Sequence, residues 1–182
     1  MLHPAIDGCL QLLKEQSISY ADVAEVSLRV NFLVLEVTGK RHPKVGVDGK
    51  FSIYHCVAVA LIDGQVTEKQ FTEQRVHDST VIGLSDHVTA TVDSGVAADE
   101  VYIEFTLNDG RKFHKHVEHA LGSLKRPLSD SQLEDKFHEL AAGFMPRLQI
   151  ANLVRTCWRF AELDDVSDVA RKAAVEDKRK KQ

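Results

Sequence analysis

A change in hydrophobic period near residue 87 constrains the fold more than any other feature of this sequence. The segments "HVTATVD" and "VYIEFTL" alternate apolar and polar residues, as does "VAEVSLRV" earlier in the chain. Such alternation is typical of strands that bury one face. Other segments repeat apolar residues at intervals of three and four, which predicts helices. We therefore predict an α+β domain in which an antiparallel sheet of about four strands is packed by helices.

The turn between the last two predicted strands fixes their register. The strand "VYIEFTL" is followed by "NDG" and then by "RKFHKHVEH". A two-residue Asp-Gly turn would place Phe105 on the polar face of the next strand. A three-residue loop instead pairs Phe105 with Phe113 and Val101 with Val117, so that the apolar faces coincide. We therefore predict a loop over 108–110 with Gly110 in the left-handed conformation.

The segment "KFSIYHCVAVALIDG", residues 50–64, has the start and stop signals of a short helix. Ser52 is a favourable N-cap, and Gly64 is a favourable residue just past the C-terminus. These two residues predict a helix over 53–63. Its apolar residues recur at helical spacing, which predicts that the body of the helix is buried.

Polar side chains cluster at the start of this helix, and they have two interpretations. Ser52 caps the helix, or the N–H groups of the first turn join Lys50 in binding a carboxylate or phosphate. The helix dipole disfavours a protonated imidazole at His55, so we expect its pKa to fall and the ring to be neutral at pH 7. A neutral histidine can act as a base or simply pack in the core.

The composition is that of an ordinary soluble protein. The 182 residues are 43% hydrophobic and 27% charged, with a net charge of −4, and nothing in this balance points to nucleic acid or an anionic membrane. No apolar run is long enough to span a bilayer, and residues 1–20 lack the features of a signal peptide. Cys9, Cys56 and Cys157 are far apart, which fits a reducing compartment; we interpret each as a small buried side chain rather than a nucleophile. We expect a cytoplasmic protein without nucleic-acid or membrane partners.

Two histidine patterns have both a structural and a chemical interpretation. His114, His116 and Glu118 share one strand face, but such neighbours lie about 7 Å apart, too far to share a metal without a third element. We favour a solvated polar face and predict no metal site. His3 and Asp7 are four residues apart on a predicted helix and close enough to touch. From these residues alone we favour a helix cap with a surface ion pair.

The two ends of the sequence differ in character. "HPAIDGCLQLLKE" predicts a helix almost at once, with His3 as the cap and Pro4 at the first helical position. This abrupt start is typical of a domain cut from a longer protein. The end, "RKAAVEDKRKKQ", is highly charged, and we expect it to fray. We therefore predict one domain over 1–165 and a charged tail over 166–182.

Three stretches together go further than composition and spacing. "HPAID", "KFSIYHCVAVALIDG" and "VEHALGSLKRPLSDSQLEDKF" resemble the C-terminal part of the MmgE/PrpD family, and the resemblance runs from about His3 to about Leu163. The family includes 2-methylcitrate dehydratase, cis-aconitate decarboxylase and iminodisuccinate epimerase. Its members join an all-helical N-terminal domain to a smaller α+β lid, and they typically work without a metal or organic cofactor. The resemblance implies that this chain is the lid, that the helical domain is missing from it, and that no cofactor is needed.

The resemblance also implies roles for individual residues. Family members abstract a proton next to a carboxylate and then lose water, lose CO₂ or take up the proton again. His3 matches the histidine that begins the family's His-Pro-Ala-Ile-Asp motif, which implies an acid–base or substrate-binding role. His55 stands where several members carry a tyrosine, with Tyr54 one place earlier, so His55 is a second candidate for proton transfer. We also expect Lys50, Ser52 and Tyr54 to contact the substrate, and for Lys50 and Ser52 this expectation rests on the anion-binding potential of the helix N-terminus rather than on the resemblance.

Two hypotheses of function follow. In the first, the chain is the lid of a lyase similar to 2-methylcitrate dehydratase, acts on small di- or tricarboxylic acids and is inactive without the helical domain. An epimerase or isomerase of the same family is a variant of this hypothesis. In the second, the chain is a stand-alone binding or assembly module that kept the fold without the chemistry. Either way, a separated lid would expose an apolar face, so we also expect self-association as a homodimer.

Overall fold

The structure is a computed structural model that describes residues 1–175. The chain forms two compact units, Met1–Pro127 and a second unit that begins at Leu128. Each unit is described separately below. No helix in the described part of the chain is long and apolar enough to cross a membrane.

The first unit contains the sheet and most of the helices. In chain order its elements are α1 (His3–Gln16), β1 (Val23–Val30), α2 (Phe32–Thr38), α3 (Gly46–Gly49), α4 (Ile53–Asp63), α5 (Glu73–Val76), α6 (Ser79–Asp86), β2 (Val88–Val92), β3 (Val101–Leu107) and β4 (Lys112–Val117). Short 3₁₀ turns cover Tyr20–Asp22 and Glu68–Phe71. Helix α1 begins one residue earlier than predicted, because Leu2 is its N-cap residue and His3 already lies in the helix.

The four strands form one sheet in the order β2-β1-β3-β4. This confirms the α+β class and the number of strands. One pairing differs from the predicted antiparallel sheet, because β1 and β2 run parallel. The connection between them includes helices α2 to α6 and is long enough to return the chain to the same end of the sheet, as a parallel pair requires. The other two pairings, β1 with β3 and β3 with β4, are antiparallel.

The predicted hairpin between β3 and β4 is confirmed. Phe105 pairs with Phe113 and Val101 with Val117. Gly110 has a φ of 85°, in the left-handed region, and its N–H donates to the Leu107 carbonyl at 2.9 Å. The three-residue loop therefore keeps the apolar residues of both strands on one face.

Helices α1 and α4 build the core with the inner face of the sheet. Phe105 and Val57 are fully buried in this core, and so is Cys9. Burial raises the pKa of the Cys9 thiol and raises that of Cys56 to about 12, so both stay protonated at pH 7. Cys157, in the second unit, is exposed, so the expectation that all three cysteines are buried is wrong for this residue.

The second unit is helical in its described part. Its elements are α7 (Asp130–Ala141), α8 (Arg147–Trp158), a 3₁₀ turn (Phe160–Glu162) and α9 (Ser167–Ala173). Ser129 and Gln132 form a capping box at the start of α7. Helix α9 lies within the segment predicted as a charged tail, and residues 176–182 lie outside the described residues.

Candidate functional site

The N-terminus of α4 is built around Ser52. The Ser52 hydroxyl accepts a hydrogen bond from the His55 backbone N–H at 3.1 Å, and the residue has no exposed surface. At the other end of the helix, Gly64 adopts a φ of 66°. Both predicted helix signals are therefore confirmed. The role that the structure shows for Ser52 is that of a cap, and its role as a substrate contact stays a prediction.

The His55 imidazole is buried, with 2% of the residue exposed. Its Nε2 atom lies 2.8 Å from the Gln70 carbonyl oxygen. Because a carbonyl oxygen only accepts hydrogen bonds, Nε2 carries the proton and Nδ1 of the neutral ring keeps its lone pair. Burial is the largest cause that lowers the pKa of His55, and it outweighs the opposing hydrogen bond to Gln70. The predicted direction is confirmed, although the main cause is burial rather than the helix dipole.

Two further residues that the sequence interpretation missed hold the His55 ring in place. The Phe71 ring packs beside it, with the two ring centroids 5.9 Å apart. A Cβ atom at Gly49 would lie only 3.0 Å from Cδ2 of His55, so the ring fits closely against the α3 backbone. The carbonyl of Gly49 also accepts a hydrogen bond from the Cys56 thiol at 3.4 Å. His55 therefore has little freedom to reorient.

A small cavity of about 70 Å³ lies next to His55. Its lining includes polar side chains from the loop after α2 and from the α5–α6 region: Arg41, His42, His77 and Ser85. None of the described residues that line it is acidic. The volume corresponds to about two water molecules, or to a single carboxylate group.

Arg41 connects this cavity to Tyr54. Its guanidinium lies 4.2 Å from the centroid of the Tyr54 ring. It also donates to the carbonyl of Val88 at 2.6 Å and to that of Asp86 at 3.2 Å. The Tyr54 ring therefore makes a cation–π contact with the Arg41 guanidinium. This contact and the two hydrogen bonds keep the positive charge at the edge of the cavity.

Lys50 lies on the outer side of Phe71. Its ammonium pairs with the Glu68 carboxylate at 2.7 Å and lies 5.6 Å from the Phe71 ring centroid. The side chains of Lys50 and Glu68 are 41% and 67% exposed, so this ion pair is on the surface. The structure thus brings Lys50 and His55 to the same aromatic ring.

His3 lies at the exposed start of α1, the helix that packs against α4. The N-cap residue Leu2 makes no capping hydrogen bond through its side chain, and the first turn carries no acidic residue. Nearby on the same helix, the Asp7 carboxylate accepts from the Leu121 N–H at 3.0 Å and from Arg126 at 2.7 Å. The start of α1 therefore combines the positive electrostatic potential of a helix N-terminus with the imidazole of His3.

The histidines of β4 lie on the outer face of the sheet, where they meet carboxylates. His114 Nδ1 is 3.3 Å from Glu104, and His116 Nε2 is 3.1 Å from Glu100. Among the described residues, no three His, Cys, Asp or Glu side chains are placed to hold one metal ion. These contacts make the outer face of the sheet a polar surface.

Comparison with known proteins gives two similarities. A family model described as the MmgE/PrpD C-terminal domain matches residues 1–159. A curated relative, cis-aconitate decarboxylase from Mus musculus, is 27% identical over 128 residues, which are 68% of this chain and 26% of the relative. The chain thus spans about a quarter of the length of this relative.

Proposed function

Because this chain belongs to the MmgE/PrpD family, matching its C-terminal domain over residues 1–159, we propose that it is the lid of a lyase that acts on small di- or tricarboxylic acids. The proposed reaction is a dehydration like that of 2-methylcitrate dehydratase or a decarboxylation, the reaction for which the mouse relative is named. The helical domain of a complete family enzyme supplies the other wall of the site.

One observation carries this proposal: His3 combines an exposed imidazole with the N-terminal end of a 14-residue helix. The helix end attracts a substrate carboxylate, and the imidazole is then placed to exchange a proton with the adjacent carbon. No capping side chain at Leu2 competes for this end. The N-terminus of α4, by contrast, is already satisfied by Ser52. We therefore place the principal carboxylate contact at α1.

His55 has a supporting part in the proposed site. Its neutral ring keeps a lone pair on Nδ1 while Nε2 is held by the Gln70 carbonyl. The neighbouring cavity of about 70 Å³ has room for one carboxylate group and is lined by Arg41. In this proposal Ser52 orients His55, Tyr54 supports Arg41, and Lys50 contacts a carboxylate at the rim.

The first test measures binding to the 182-residue chain alone. Citrate and tricarballylate are added to ¹⁵N-labelled protein, and the histidine side-chain and backbone resonances are followed by NMR. We expect saturable shifts at the start of α1 that are lost in His3→Ala. The matched control is His114→Ala, which removes another exposed imidazole, from the polar sheet face. Shifts that are unchanged in His3→Ala would contradict the proposed contact.

The second test measures turnover. The chain is combined with the helical half of a family enzyme and assayed with 2-methylcitrate, cis-aconitate and related acids. We expect the loss of water or CO₂ from the substrate to require both parts, and its rate to fall in His3→Ala and in His55→Gln. Glutamine is chosen at position 55 because its side-chain amide keeps a hydrogen-bond donor for the Gln70 carbonyl. Proton exchange without loss of water or CO₂ would indicate an epimerase or isomerase. Absence of all three reactions, together with unchanged binding in both variants, would favour the stand-alone binding module.

We also propose that the chain forms a homodimer. The second unit exposes large apolar side chains, with Phe144 and Leu148 each 74% exposed, and covering such residues stabilises an association. Sedimentation velocity across a tenfold concentration range should show a dimer. A chain that stays monomeric throughout would contradict this proposal.

A further inference from the structure

One cleft in the second unit lies between α8 and α9. Its volume is about 690 Å³, within the range of small-molecule sites. One face of α8 forms its floor, through residues spaced at helical intervals: Leu148, Gln149, Asn152, Arg155 and Thr156, with Arg159 just past the end of the helix. Arg171 and Lys172 contribute from α9. All the residues that line the cleft belong to the second unit, whereas His3 and the α4 residues belong to the first.

Side chains of α8 hold α9 in position and so give the cleft fixed walls. The Gln149 side-chain amide donates to the carbonyls of Lys172 and Ala174, both at 2.8 Å. These carbonyls belong to the C-terminal end of α9, where backbone acceptors otherwise lack partners. In return, the Lys172 ammonium donates to the Thr156 hydroxyl at 3.0 Å.

The four cations of the cleft fall into two groups. Arg171 pairs with Asp165 at 2.8 Å and with Asp168 at 2.7 Å, and Arg159 pairs with Glu162 at 2.8 Å. The positive charge of this group is therefore compensated locally.

The second group consists of Arg155 and Lys172. No hydrogen bond or ion pair joins the Arg155 guanidinium to another described residue. Lys172 is bonded to a neutral hydroxyl and keeps two further N–H donors. Two uncompensated cations thus face one cleft whose walls also include the apolar side chains of Leu148 and Leu163.

We propose that this cleft binds a small multivalent oxyanion, with Arg155 as a two-pronged donor and Lys172 as the second positive contact. Planar guanidinium groups match carboxylate and phosphate oxygens, and an ammonium adds a point charge. The apolar walls accommodate the carbon skeleton of an organic anion. Polycarboxylates and polyphosphates share the required chemistry, and the experiment separates them. The proposal does not depend on the lyase function, because none of its residues belongs to the site at α1 and α4.

The test is calorimetric titration of the 182-residue chain with pyrophosphate and, separately, with citrate at constant ionic strength. We expect saturable binding of at least one anion and a loss of affinity of about fivefold or more in Arg155→Gln, the size expected when one charge-assisted contact is removed. Lys172→Gln should weaken binding similarly. The matched control, Arg147→Gln, removes the same charge from the same helix outside the cleft and should change the affinity by less than about twofold.

The two anions distinguish the source of the ligand. Tighter binding of pyrophosphate indicates a phosphate-bearing ligand, and tighter binding of citrate indicates a polycarboxylate. Citrate binding that is lost in His3→Ala but unchanged in Arg155→Gln would belong to the proposed lid site and would overturn the present assignment. Equal losses in Arg155→Gln and Arg147→Gln would overturn it as well, because they would show non-specific attraction to the net charge of α8. So would the absence of saturable binding of either anion.

Discussion

Replacement of Gly8 by alanine tests how α1 is seated on the sheet. Gly8 is buried on α1, and a Cβ atom there would lie 2.4 Å from Cδ1 of Ile103 and 2.8 Å from Cγ2 of Val117. Both distances are far below van der Waals contact. Ile103 is 2% exposed and Val117 is 3% exposed, so neither side chain can swing into solvent to make room. Either α1 moves away from the sheet or the two side chains leave their preferred rotamers.

The expected magnitude follows from two opposing effects. Inserting a methyl group into a close-packed core costs about 1–3 kcal/mol. Alanine in place of glycine inside a helix increases the free energy of unfolding by about 0.8–1 kcal/mol, because alanine has the higher helix propensity. Because the nearer contact is as short as 2.4 Å, we expect the upper part of the packing cost and a net loss of about 1–2 kcal/mol in the free energy of unfolding.

The control for this prediction is Gly83→Ala on α6. A Cβ atom at Gly83 would meet nothing within 4 Å, so only the propensity gain remains and the variant should be stabilised by about 0.5–1 kcal/mol. Urea unfolding is followed through NMR intensities of β1 and β3 amides, which report on the first unit. If Gly8→Ala is as stable as Gly83→Ala, then α1 does not pack against the sheet through Gly8 and the described core is wrong.

Four further predictions concern the α4 site and the hairpin. Ser52→Ala removes a buried cap and should lower the free energy of unfolding by about 1–2 kcal/mol in urea titrations; no change would contradict the capping role. Lys50→Ala removes an exposed ion pair and a distant contact with the Phe71 ring, and should change stability by less than about 1 kcal/mol, while weakening carboxylate binding in the NMR assay if Lys50 contacts the substrate. The pKa of His55 is lowered by burial, so as pH falls below about 6.5 the unfolded chain takes up the proton first and stability is lost. His55→Gln should lose less stability between pH 7 and pH 5, and an unchanged slope would show that His55 does not titrate as argued. Gly110→Ala at a φ of 85° should cost about 1 kcal/mol, measured by thermal unfolding; an equal or higher melting temperature would contradict the left-handed loop.

Sequence periodicity predicted the local parts of the fold. The hairpin register could be predicted because only one loop length places Phe105 opposite Phe113 on the apolar face. The parallel pairing of β1 with β2 could not be predicted in the same way. Strand partners that are separated by five helices are chosen by packing across the whole unit, and alternation within one strand carries no information about its neighbour. The short apolar run "NFLVLEVTG", residues 31–39, fits a helix or a strand equally well by periodicity. In the structure it forms α2, a helix capped by Asn31.

In the candidate site, too, local features could be predicted from the sequence and features set by tertiary packing could not. Ser52 and Gly64 were recognisable because a cap acts within three or four residues of sequence. The Gln70 carbonyl, which holds His55, lies 15 residues away in sequence. Its contribution arises only when the chain turns back over α4. Burial of His55 is likewise a tertiary property, which is why the direction of its pKa shift was predictable but its main cause was not.

Because the two histidines differ in exposure, we propose that they have different tasks within the proposed lid. His55 is held on three sides by Gln70, Phe71 and Gly49, beside a cavity of about 70 Å³ that has room for one carboxylate but not for a tricarboxylic acid. A group held in this way suits the fixed recognition of one end of a substrate, because its geometry changes little when the substrate arrives. His3 is exposed at the end of α1, where the atoms that react can reach it. Loss of His3 should therefore act mainly on kcat, and replacement of His55 by Gln mainly on KM, because only an accessible group can exchange a proton with the carbon next to a bound carboxylate.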